Sequence, residues 1–326
     1  YMDRAEYQNY SSEPLTLNFH RTDHKDGTAT YLREFLRQYM MAKRPVRTDY
    51  PSWNNVQFVA DSIAWDTDPL YGWCNKNFKK DGSPYNVYSD GLKVFTTIDS
   101  RMQKYAEEAV YQHVARYLQP AFDKENKPKP SSPYSDKLTP QQIRNILNRS
   151  ITQSERWRTM KAAGCTPEEI KEAFRKKIEM TVFTYHGDID TLMSPLDSIR
   201  YYKGFLRSGF MSMDPKTGAV KAYVGGLDYP HFMYDMVSLG RRQVGSTIKP
   251  FLYSLAMENG FTPCDYAPNR QQTYIVAGRP WTPRNVSHAR YGQMVPLKWG
   301  LAQSNNWISA YLMSKLNPNQ FVQILH

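Results

Sequence analysis

A strand–turn–strand pattern constrains the fold of this chain more than any other feature. Two short apolar runs, Phe210-Met-Ser-Met213 and Ala219-Val-Lys-Ala-Tyr-Val224, flank the segment Asp214-Pro-Lys-Thr-Gly218. Asp, Pro and Gly at these positions are typical of a tight turn, so the two runs are predicted to pair as an antiparallel hairpin. A sheet of this kind with helical segments around it indicates an α+β domain.

A second strand and a helix are predicted upstream of this hairpin. In residues 92–98, Leu, Val, Thr and Ile alternate with Lys, Phe and Thr, which predicts a half-buried strand. Asp99 is placed to cap the following helix, which Pro120 is expected to end. The residues assigned to one face of that helix are Met102, Tyr105, Ala106, Ala109, His113, Val114 and Tyr117.

Residues 120–190 are predicted to form a mostly helical insertion. The stretch 126–134 is rich in Lys, Pro and Ser, which is a linker composition. Thr139-Pro and Thr166-Pro each predict the start of a helix, because Thr caps a helix and Pro suits its first turn. A separate amphipathic helix is expected at residues 28–41.

Composition narrows the function classes only slightly. The 326 residues carry 42 Lys and Arg against 31 Asp and Glu, a net charge of +11. This charge permits nucleic acid, anionic lipid or an acidic polymer as partner, and solvated surface side chains explain it equally well. The sequence has no zinc-finger spacing, phosphate-binding glycine loop or RNA-binding aromatic platform. Its three cysteines are too few for a disulfide framework, and His113 and His186 have no partner at metal-ligand spacing.

The length and the first residue of the chain give little further information about domain number and location. The length suggests two domains, or one large domain with an insertion. No apolar run approaches the roughly 18 residues of a membrane span. The chain starts at Tyr1 rather than Met, so the lack of a recognisable signal peptide carries no information about location.

Ser246 and Lys249 form the main candidate for chemistry. They lie in Gln243-Val-Gly-Ser-Thr-Ile-Lys-Pro250, just before helically spaced apolar residues that end at Asn259-Gly260. A serine hydroxyl needs a base to become a nucleophile, and a desolvated lysine can be neutral near pH 7 and act as that base. The helix N-terminus adds backbone N–H groups where an oxyanion would form. The alternative is a surface lysine after a helix-capping serine.

A second polar segment, Ser304-Asn-Asn306, lies between apolar runs downstream. A second hydroxyl can relay a proton between the base and a leaving group, and a carboxamide can hold a peptide amide. The pattern is short, and a helix cap followed by a turn would also explain Ser304. Its order after Ser246 and its context favour function.

The chain resembles the transpeptidase module of class A, bifunctional penicillin-binding proteins. Ser246-x-x-Lys249 and Ser304-x-Asn306 match two polar sequence boxes that penicillin-binding proteins and serine β-lactamases share. Longer stretches carry the same resemblance, and it extends to residues 14–41, which are similar to the segment after the family's glycosyltransferase domain. The longer stretches are residues 91–99, residues 213–226, Gln243-Val-Gly-Ser-Thr-Ile-Lys-Pro-Phe251 and Trp281-Thr-Pro-Arg-Asn285.

The resemblance implies a role for each site residue. Ser246 would be the acylated nucleophile of a peptidoglycan D,D-transpeptidase, Lys249 its base, and Ser304 a proton relay. Asn306, with Gly245 and Thr247 beside the nucleophile, would bind substrate. The implied partners are D-Ala-D-Ala stem peptides and β-lactams, not nucleic acid, and no metal or organic cofactor is implied. The parent protein would be anchored in the cytoplasmic membrane by an N-terminal helix, with its catalytic domain outside.

The chain departs from the family pattern at the third box. The family's Lys-Thr-Gly lies on a strand after the Ser-x-Asn box, whereas the one Lys-Thr-Gly here is at 216–218 and is interpreted as a hairpin turn. The β-lactamase/transpeptidase-like fold is therefore expected to be incomplete at its C-terminus. Losing one oxyanion donor costs roughly 10²–10³-fold in rate, so the 326-residue chain is expected to acylate poorly.

The expected organisation has four parts: a linker at 1–90 after an absent glycosyltransferase domain, the first transpeptidase strand and helix at 91–119, the insertion at 120–190, and the nucleophile-bearing part at 191–326. Three alternatives stay open. They are a monofunctional D,D-carboxypeptidase or transpeptidase of the same superfamily, a non-catalytic penicillin-binding scaffold, and a basic nucleic-acid-binding protein supported by charge alone. A serine β-lactamase is disfavoured, because a compact secreted hydrolase has no use for the long leading region 1–90.

Overall fold

The structure, a computed structural model, describes residues 3–12 and 27–325. The chain divides into two compact units, residues 1–240 and residues 241–326. Residues 14–26, part of the stretch that resembles the segment after the glycosyltransferase domain, lie outside the described residues. Strands in the described residues pair as four two-stranded antiparallel sheets among helices, which confirms the α+β class.

The first unit contains most of the helices. A 3₁₀ turn covers Arg47–Asp49, and a π-helical turn covers Val114–Leu118. The helices are α1 (Arg4–Ser12), α2 (Thr30–Met40), α3 (Asn55–Thr67), α4 (Trp73–Lys76), α5 (Ser100–His113), α6 (Gln119–Asn126), α7 (Pro140–Gln153), α8 (Glu155–Ala162), α9 (Pro167–Arg175) and α10 (Pro195–Lys203). The strands are β1 (Ile178–Val182), β2 (Ile189–Met193), β3 (Phe210–Met213) and β4 (Val220–Val224). The expected helix at 28–41 is therefore α2.

Residues 92–98 do not form the predicted strand. Val94 and Phe95 are 43% and 93% exposed, so the alternation does not separate a buried face from a solvent face. Two hydrogen bonds connect this part of the chain to β4. The Thr97 hydroxyl donates to Val220 O at 2.8 Å, and the Asp99 N–H donates to Lys221 O at 3.0 Å. Alternation alone was misleading, because a strand also needs a neighbour that pairs its backbone.

The helix that follows begins as predicted but ends later. The Asp99 carboxylate caps α5 by accepting from the N–H groups of Arg101 and Met102. Pro120 does not end the helical path, which continues through the π-helical turn into α6. Pro120 lies in the first turn of α6, where its missing N–H is tolerated, and the wider π turn comes just before it.

The predicted inner face of α5 was also partly wrong. Met102, Tyr105 and Tyr117 are exposed, although Ala106 and Val114 are buried as expected. The contact with the sheet instead runs through Gln103, which is fully buried. Its carboxamide donates to Tyr223 O at 2.8 Å and accepts from Tyr223 N at 2.7 Å. A polar residue thus occupies the inner face because the sheet offers it a backbone partner.

The two predicted helix starts of the insertion are confirmed. Thr139 and Thr166 each form a capping box with the residue three positions on, Gln142 and Glu169 respectively. After α9 the chain turns into the β1–β2 hairpin, whose second strand, Ile189–Met193, continues past residue 190. The four-part division of the chain stays a prediction.

The predicted hairpin around Lys-Thr-Gly is confirmed. Strands β3 and β4 pair antiparallel, with a bulge between Ser212 and Met213. The Asp214 carboxylate accepts from the N–H groups of Lys216 and Thr217, and Gly218 adopts a φ of 72° that favours glycine. Lys216-Thr-Gly218 therefore forms part of the hairpin turn in this chain, as the sequence predicted.

The second unit places its helices around one apolar core. Its elements are α11 (Lys249–Glu258), β5 (Tyr266–Pro268), β6 (Tyr274–Val276), β7 (Arg279–Trp281), β8 (Met294–Pro296), α12 (Leu297–Ala302), α13 (Asn306–Lys315) and α14 (Pro318–Ile324). Strands β5 and β8 pair, as do β6 and β7. Leu252 and Ala256 of α11 pack with Ile308 and Leu312 of α13, all of them buried. This packing fixes the start of α11 against the start of α13.

Candidate active site

Ser246 lies in a 3₁₀ turn, Gly245–Ile248, that leads directly into α11. Gly245 has a φ of 55°, a left-handed conformation that side chains disfavour, and Ser246 itself is exposed. Lys249 is the first residue of α11, so the sequence prediction of a serine at a helix start is confirmed, with a tighter first turn. The hydroxyl of Ser246 has no hydrogen-bond partner within residues 27–325.

Lys249 is buried, although lysine side chains are mostly exposed in folded proteins. Its side chain belongs to a residue only 5% exposed, and desolvation lowers the pKa of its amine below the ordinary value of 10.5. Its Nζ donates to Ser304 O at 2.5 Å, Ser304 Oγ at 3.1 Å and Asn306 Oδ1 at 2.7 Å. The structure therefore brings three of the predicted site residues into contact.

Ser304 occupies the link between α12 and α13 in a strained conformation. Its φ is 48°, one of four positive values among the described residues other than glycine. Such a backbone costs about 1–2 kcal/mol for an L-residue and persists where the surroundings impose it. Here the next residue, Asn305, caps α13 by accepting from the N–H groups of Trp307 and Ile308. The strained turn directs both the carbonyl and the hydroxyl of Ser304 to Lys249.

The carboxamide of Asn306 is held from two sides. Its Oδ1 accepts from Lys249, and its Nδ2 donates to Arg284 O at 2.8 Å. The Asn306 N–H donates to Asn285 Oδ1 at 3.0 Å, so the Trp281-Thr-Pro-Arg-Asn285 segment supports this residue. In this arrangement Asn306 positions Lys249 directly, and its Nδ2 has a second hydrogen besides the one donated to Arg284 O.

A cleft of about 1200 Å³ opens beside these residues, entirely within the second unit. Gly245, Ser246, Lys249 and Asn306 line it, together with the β6–β7 hairpin and the inner side of α13. Thr247 and Ser304 are not among the lining residues. The Thr247 hydroxyl donates to Val244 O at 2.5 Å, and Ser304 contacts Lys249 outside the cleft lining.

In the described part of the chain, the Ser246 hydroxyl and the Lys249 amine are not hydrogen-bonded to each other. The donors of the Lys249 amine all point to residues 304 and 306. Both side chains nevertheless line the same cleft. The arrangement supplies an exposed hydroxyl and a desolvated amine, which is the pair that serine acyl transfer requires.

Two family models match the chain. One describes the penicillin-binding protein middle domain and matches residues 129–206. The other describes the penicillin-binding protein transpeptidase domain and matches residues 208–326. Together they cover more than half of the chain, and both belong to the same proteins that the polar boxes resemble. The chain belongs to the penicillin-binding proteins.

Curated relatives agree with this assignment. The chain is 26% identical over 280 residues to penicillin-binding protein 1A of Neisseria flavescens, covering 76% of this chain and 34% of that protein. It is 32% identical over 112 residues to penicillin-binding protein 1A of Pseudomonas aeruginosa, covering 34% of this chain and 14% of that protein. The chain thus spans about a third of the length of the relatives that it matches most fully.

A solved structure is also similar to this penicillin-binding protein chain. It is penicillin-binding protein 1A from Haemophilus influenzae, with a TM-score of 0.49 and 20% identity, and the match covers 99% of this chain and 44% of that one.

Two residues that position the penicillin-binding protein site were missed from the sequence. Asn305 and Asn269 are fully buried, and the Asn305 carboxamide donates to Asn269 Oδ1 at 2.8 Å. Asn269 in turn donates to the carbonyl oxygens of Ala289 and Arg290. Asn305 lies inside the Ser304-Asn-Asn306 segment, so its polarity between apolar runs was a visible signal. Nothing local pointed to Asn269.

Two features are absent from residues 3–12 and 27–325. That part of this penicillin-binding protein chain has no cluster of three side chains able to hold a metal ion. It also has no helix whose length and apolar character would let it cross a bilayer. His113 and His186 are both exposed, in keeping with surface histidines.

Proposed function

We propose that the protein is a peptidoglycan D,D-transpeptidase that works through a serine acyl-enzyme, with Ser246 as nucleophile and Lys249 as base. The main observation that supports the proposal is the burial of the Lys249 amine. The amine contacts Ser304 and Asn306 and lines the cleft that also exposes Ser246. A solvated surface lysine after a capping serine, the structural alternative, would be neither buried nor hydrogen-bonded in this way.

In the proposed first step, Ser246 Oγ attacks the carbonyl carbon of the penultimate D-alanine while the neutral Lys249 amine takes the hydroxyl proton. Backbone N–H groups at the start of the helical path stabilise the developing oxyanion. The C–N bond then breaks, and the leaving D-alanine nitrogen receives a proton through Ser304 Oγ, which lies 3.1 Å from Lys249 Nζ. An ester on Ser246 remains.

In the second step an amine of a neighbouring stem peptide attacks this ester. Lys249 accepts the amine proton, the new amide forms, and the Ser246 oxygen recovers a proton as it leaves. Water in place of the amine would give carboxypeptidase activity, the monofunctional alternative. A non-catalytic scaffold would need neither a buried amine nor an exposed hydroxyl in one cleft.

The substrate-binding roles of Asn306, Gly245 and Thr247 belong to the same proposal. Gly245 lines the cleft without a side chain, so substrate backbone can approach the nucleophile closely. Asn306 would offer the second hydrogen of Nδ2 to a substrate carbonyl and keep its bond to Arg284 O. Thr247 is exposed beside Ser246, and its hydroxyl can accept from a ligand while it donates to Val244 O.

The wider identity is inferred from the relatives. We propose that the parent is a class A protein with a glycosyltransferase domain, anchored in the cytoplasmic membrane and active on its outer side. Stem peptides and β-lactams would be its ligands, and its net charge of +11 suits anionic surroundings.

The proposal is tested by labelling the full-length protein with a fluorescent penicillin. Labelling should be lost in Ser246→Ala, because no other hydroxyl in the cleft is predicted to be activated. Ser314→Ala is the matched control, since Ser314 lines the same cleft and its hydroxyl is bonded to Tyr311 O. Unchanged labelling of Ser246→Ala, or a labelled peptide that lacks residue 246, would overturn the assignment.

The 326-residue chain is the second arm of the test. Its one Lys-Thr-Gly is the β3–β4 turn, so we propose that it acylates at least roughly 10²-fold more slowly than the full-length protein. Rapid stoichiometric labelling of the shorter chain would contradict this arm alone. Chromatography of the products then separates transfer to an amine from hydrolysis.

A further inference from the structure

A second large cavity lies in the first unit, among the helices of the middle domain. Its volume is about 730 Å³, which is within the range of pockets that bind small molecules. Side chains of helices α7, α8, α9 and α10 line it. Its apolar wall includes Leu147, Trp157, Ile170, Phe174 and Leu196. An apolar hollow of this size that opens to water is a candidate binding site rather than packing space.

The charges around the cavity have one sign. Five lining residues are basic, and none is acidic. Arg200 pairs with Asp197 at 2.9 Å, but Lys171 and Arg175 have no carboxylate partner within the described residues. Both are exposed on α9, the helix that also carries Phe174 into the wall. Unneutralised cations at the mouth of an apolar pocket favour a ligand with an anionic end. The basic lining residues are Arg144, Lys161, Lys171, Arg175 and Arg200.

We propose that this cavity binds a single-chain amphiphile with an anionic head group. The alkyl chain would lie against Leu147, Trp157 and Phe174, and the head would contact Lys171 and Arg175. A nucleic acid would leave the apolar wall uncovered, and a peptide backbone would bring polar groups that this wall cannot satisfy. The head group can be a carboxylate or a phosphate, because both carry the required negative charge. The proposal does not depend on acyl transfer at Ser246.

Chain length and head charge give the first test. Octyl, decyl and dodecyl phosphate, each below its micelle concentration, are titrated into the protein by calorimetry. The Kd should fall about fourfold for each added methylene, because each one leaves water for the apolar wall. Dodecanoate should bind comparably to the phosphate, and a neutral dodecyl glycoside at least tenfold more weakly at low salt. Equal binding of the neutral compound, or no dependence on chain length, overturns the proposal.

Charge reversal provides a matched pair of variants. Lys171→Glu combined with Arg175→Glu should weaken dodecyl phosphate at least tenfold at low salt and leave the neutral glycoside unchanged. The control is Arg149→Glu with Arg156→Glu, which reverses two exposed charges on α7 and α8 that do not line the cavity. An equal loss in both pairs would mean general attraction to a basic surface, and the proposal would fail.

Cys165 supplies a readout at the site without any substitution. It lines the cavity and is half-buried, whereas Cys264 is exposed in the other unit and Cys74 is buried. Saturating dodecyl phosphate should slow alkylation of Cys165 at least fivefold and leave Cys264 unchanged, as followed by mass spectrometry. Equal slowing of both thiols, or none at Cys165, would contradict occupancy of this cavity. Protection of Cys165 by an acidic peptide but not by the alkyl phosphate would also reject it.

Discussion

Hydroxyl groups lie at the start of helices in both units, but their surroundings differ. Thr139 and Thr166 accept backbone N–H groups in capping boxes, and Gln142 and Glu169 complete the exchange. Ser246 lies in the 3₁₀ turn before α11 and has no partner for its hydroxyl in the described residues. A hydroxyl in a capping box is already used by the fold. That of Ser246 remains available to a substrate.

The lysines of the two pockets show the same difference. Lys171 is exposed at the mouth of an apolar cavity and has no carboxylate partner within residues 27–325, so its side chain is accessible to an anionic ligand. Lys249 is buried, and polar groups far along the sequence hold it. Desolvation lowers its pKa and makes it suitable as a base. Burial and distant partners, rather than residue type, therefore distinguish these two lysines.

Among the substitutions that compare the two units, Lys249→Met should give the largest effect. Removal of a general base typically costs about 10²–10⁴-fold, so penicillin acylation of the full-length protein should slow by that factor. The measurement is the second-order labelling rate, with Lys298→Met as control because Lys298 is exposed on α12. A loss of less than tenfold, in a variant that still melts cooperatively, would mean that another group takes the proton.

The pH dependence of the acylation rate tests whether Lys249, which is buried where Lys171 is exposed, acts as a base with a lowered pKa. As the proposed base, Lys249 would react as the neutral amine, and burial lowers the pKa of this amine below the ordinary 10.5. Acylation should therefore rise about tenfold per pH unit as pH increases toward that lowered pKa, then level off before pH 10.5. The residual rate of Lys249→Met should lack this limb. A profile that still climbs through pH 10.5 would contradict the desolvated base.

Cap substitutions should give the smallest effects and distinguish the two units. Thr139→Ala removes one capping box and should lower the free energy of unfolding by about 1 kcal/mol with acylation unchanged. Asn305→Ala removes a cap and leaves the buried Asn269 Oδ1 unpaired, so it should cost about 2–3 kcal/mol and also slow acylation. Denaturant unfolding and labelling rates measure both. Equal effects of Thr139→Ala and Asn305→Ala on the acylation rate would contradict the expected difference between the two caps.

The sequence predicted best the features that depend on neighbouring residues. The caps at Asp99, Thr139 and Thr166 and the turn at Asp214 are local hydrogen bonds between a side chain and nearby backbone, so a few letters determine them. The strand expected at 92–98 failed because pairing depends on a distant partner. Pro120 was misjudged because the π turn that precedes it has no sequence signature.

The candidate site shows the same limit. The residue types of Ser246, Lys249 and Ser304 were recognised from their boxes, and the resemblance supplied their roles. The contact between Lys249 and residues 304 and 306 follows from the packing of α11 on α13, which no short motif encodes. For the same reason the support from Asn269 and Arg284 became visible only in three dimensions.

The three bonds of Lys249 have a consequence for how it loses a proton. An ammonium group donates three hydrogens, and here all three have acceptors. Two of these acceptors, the Ser304 carbonyl and the Asn306 Oδ1, can never donate in return. Only the Ser304 hydroxyl can rotate and offer its hydrogen to the amine lone pair. The polarity of that single contact therefore reports whether the lysine is charged or neutral.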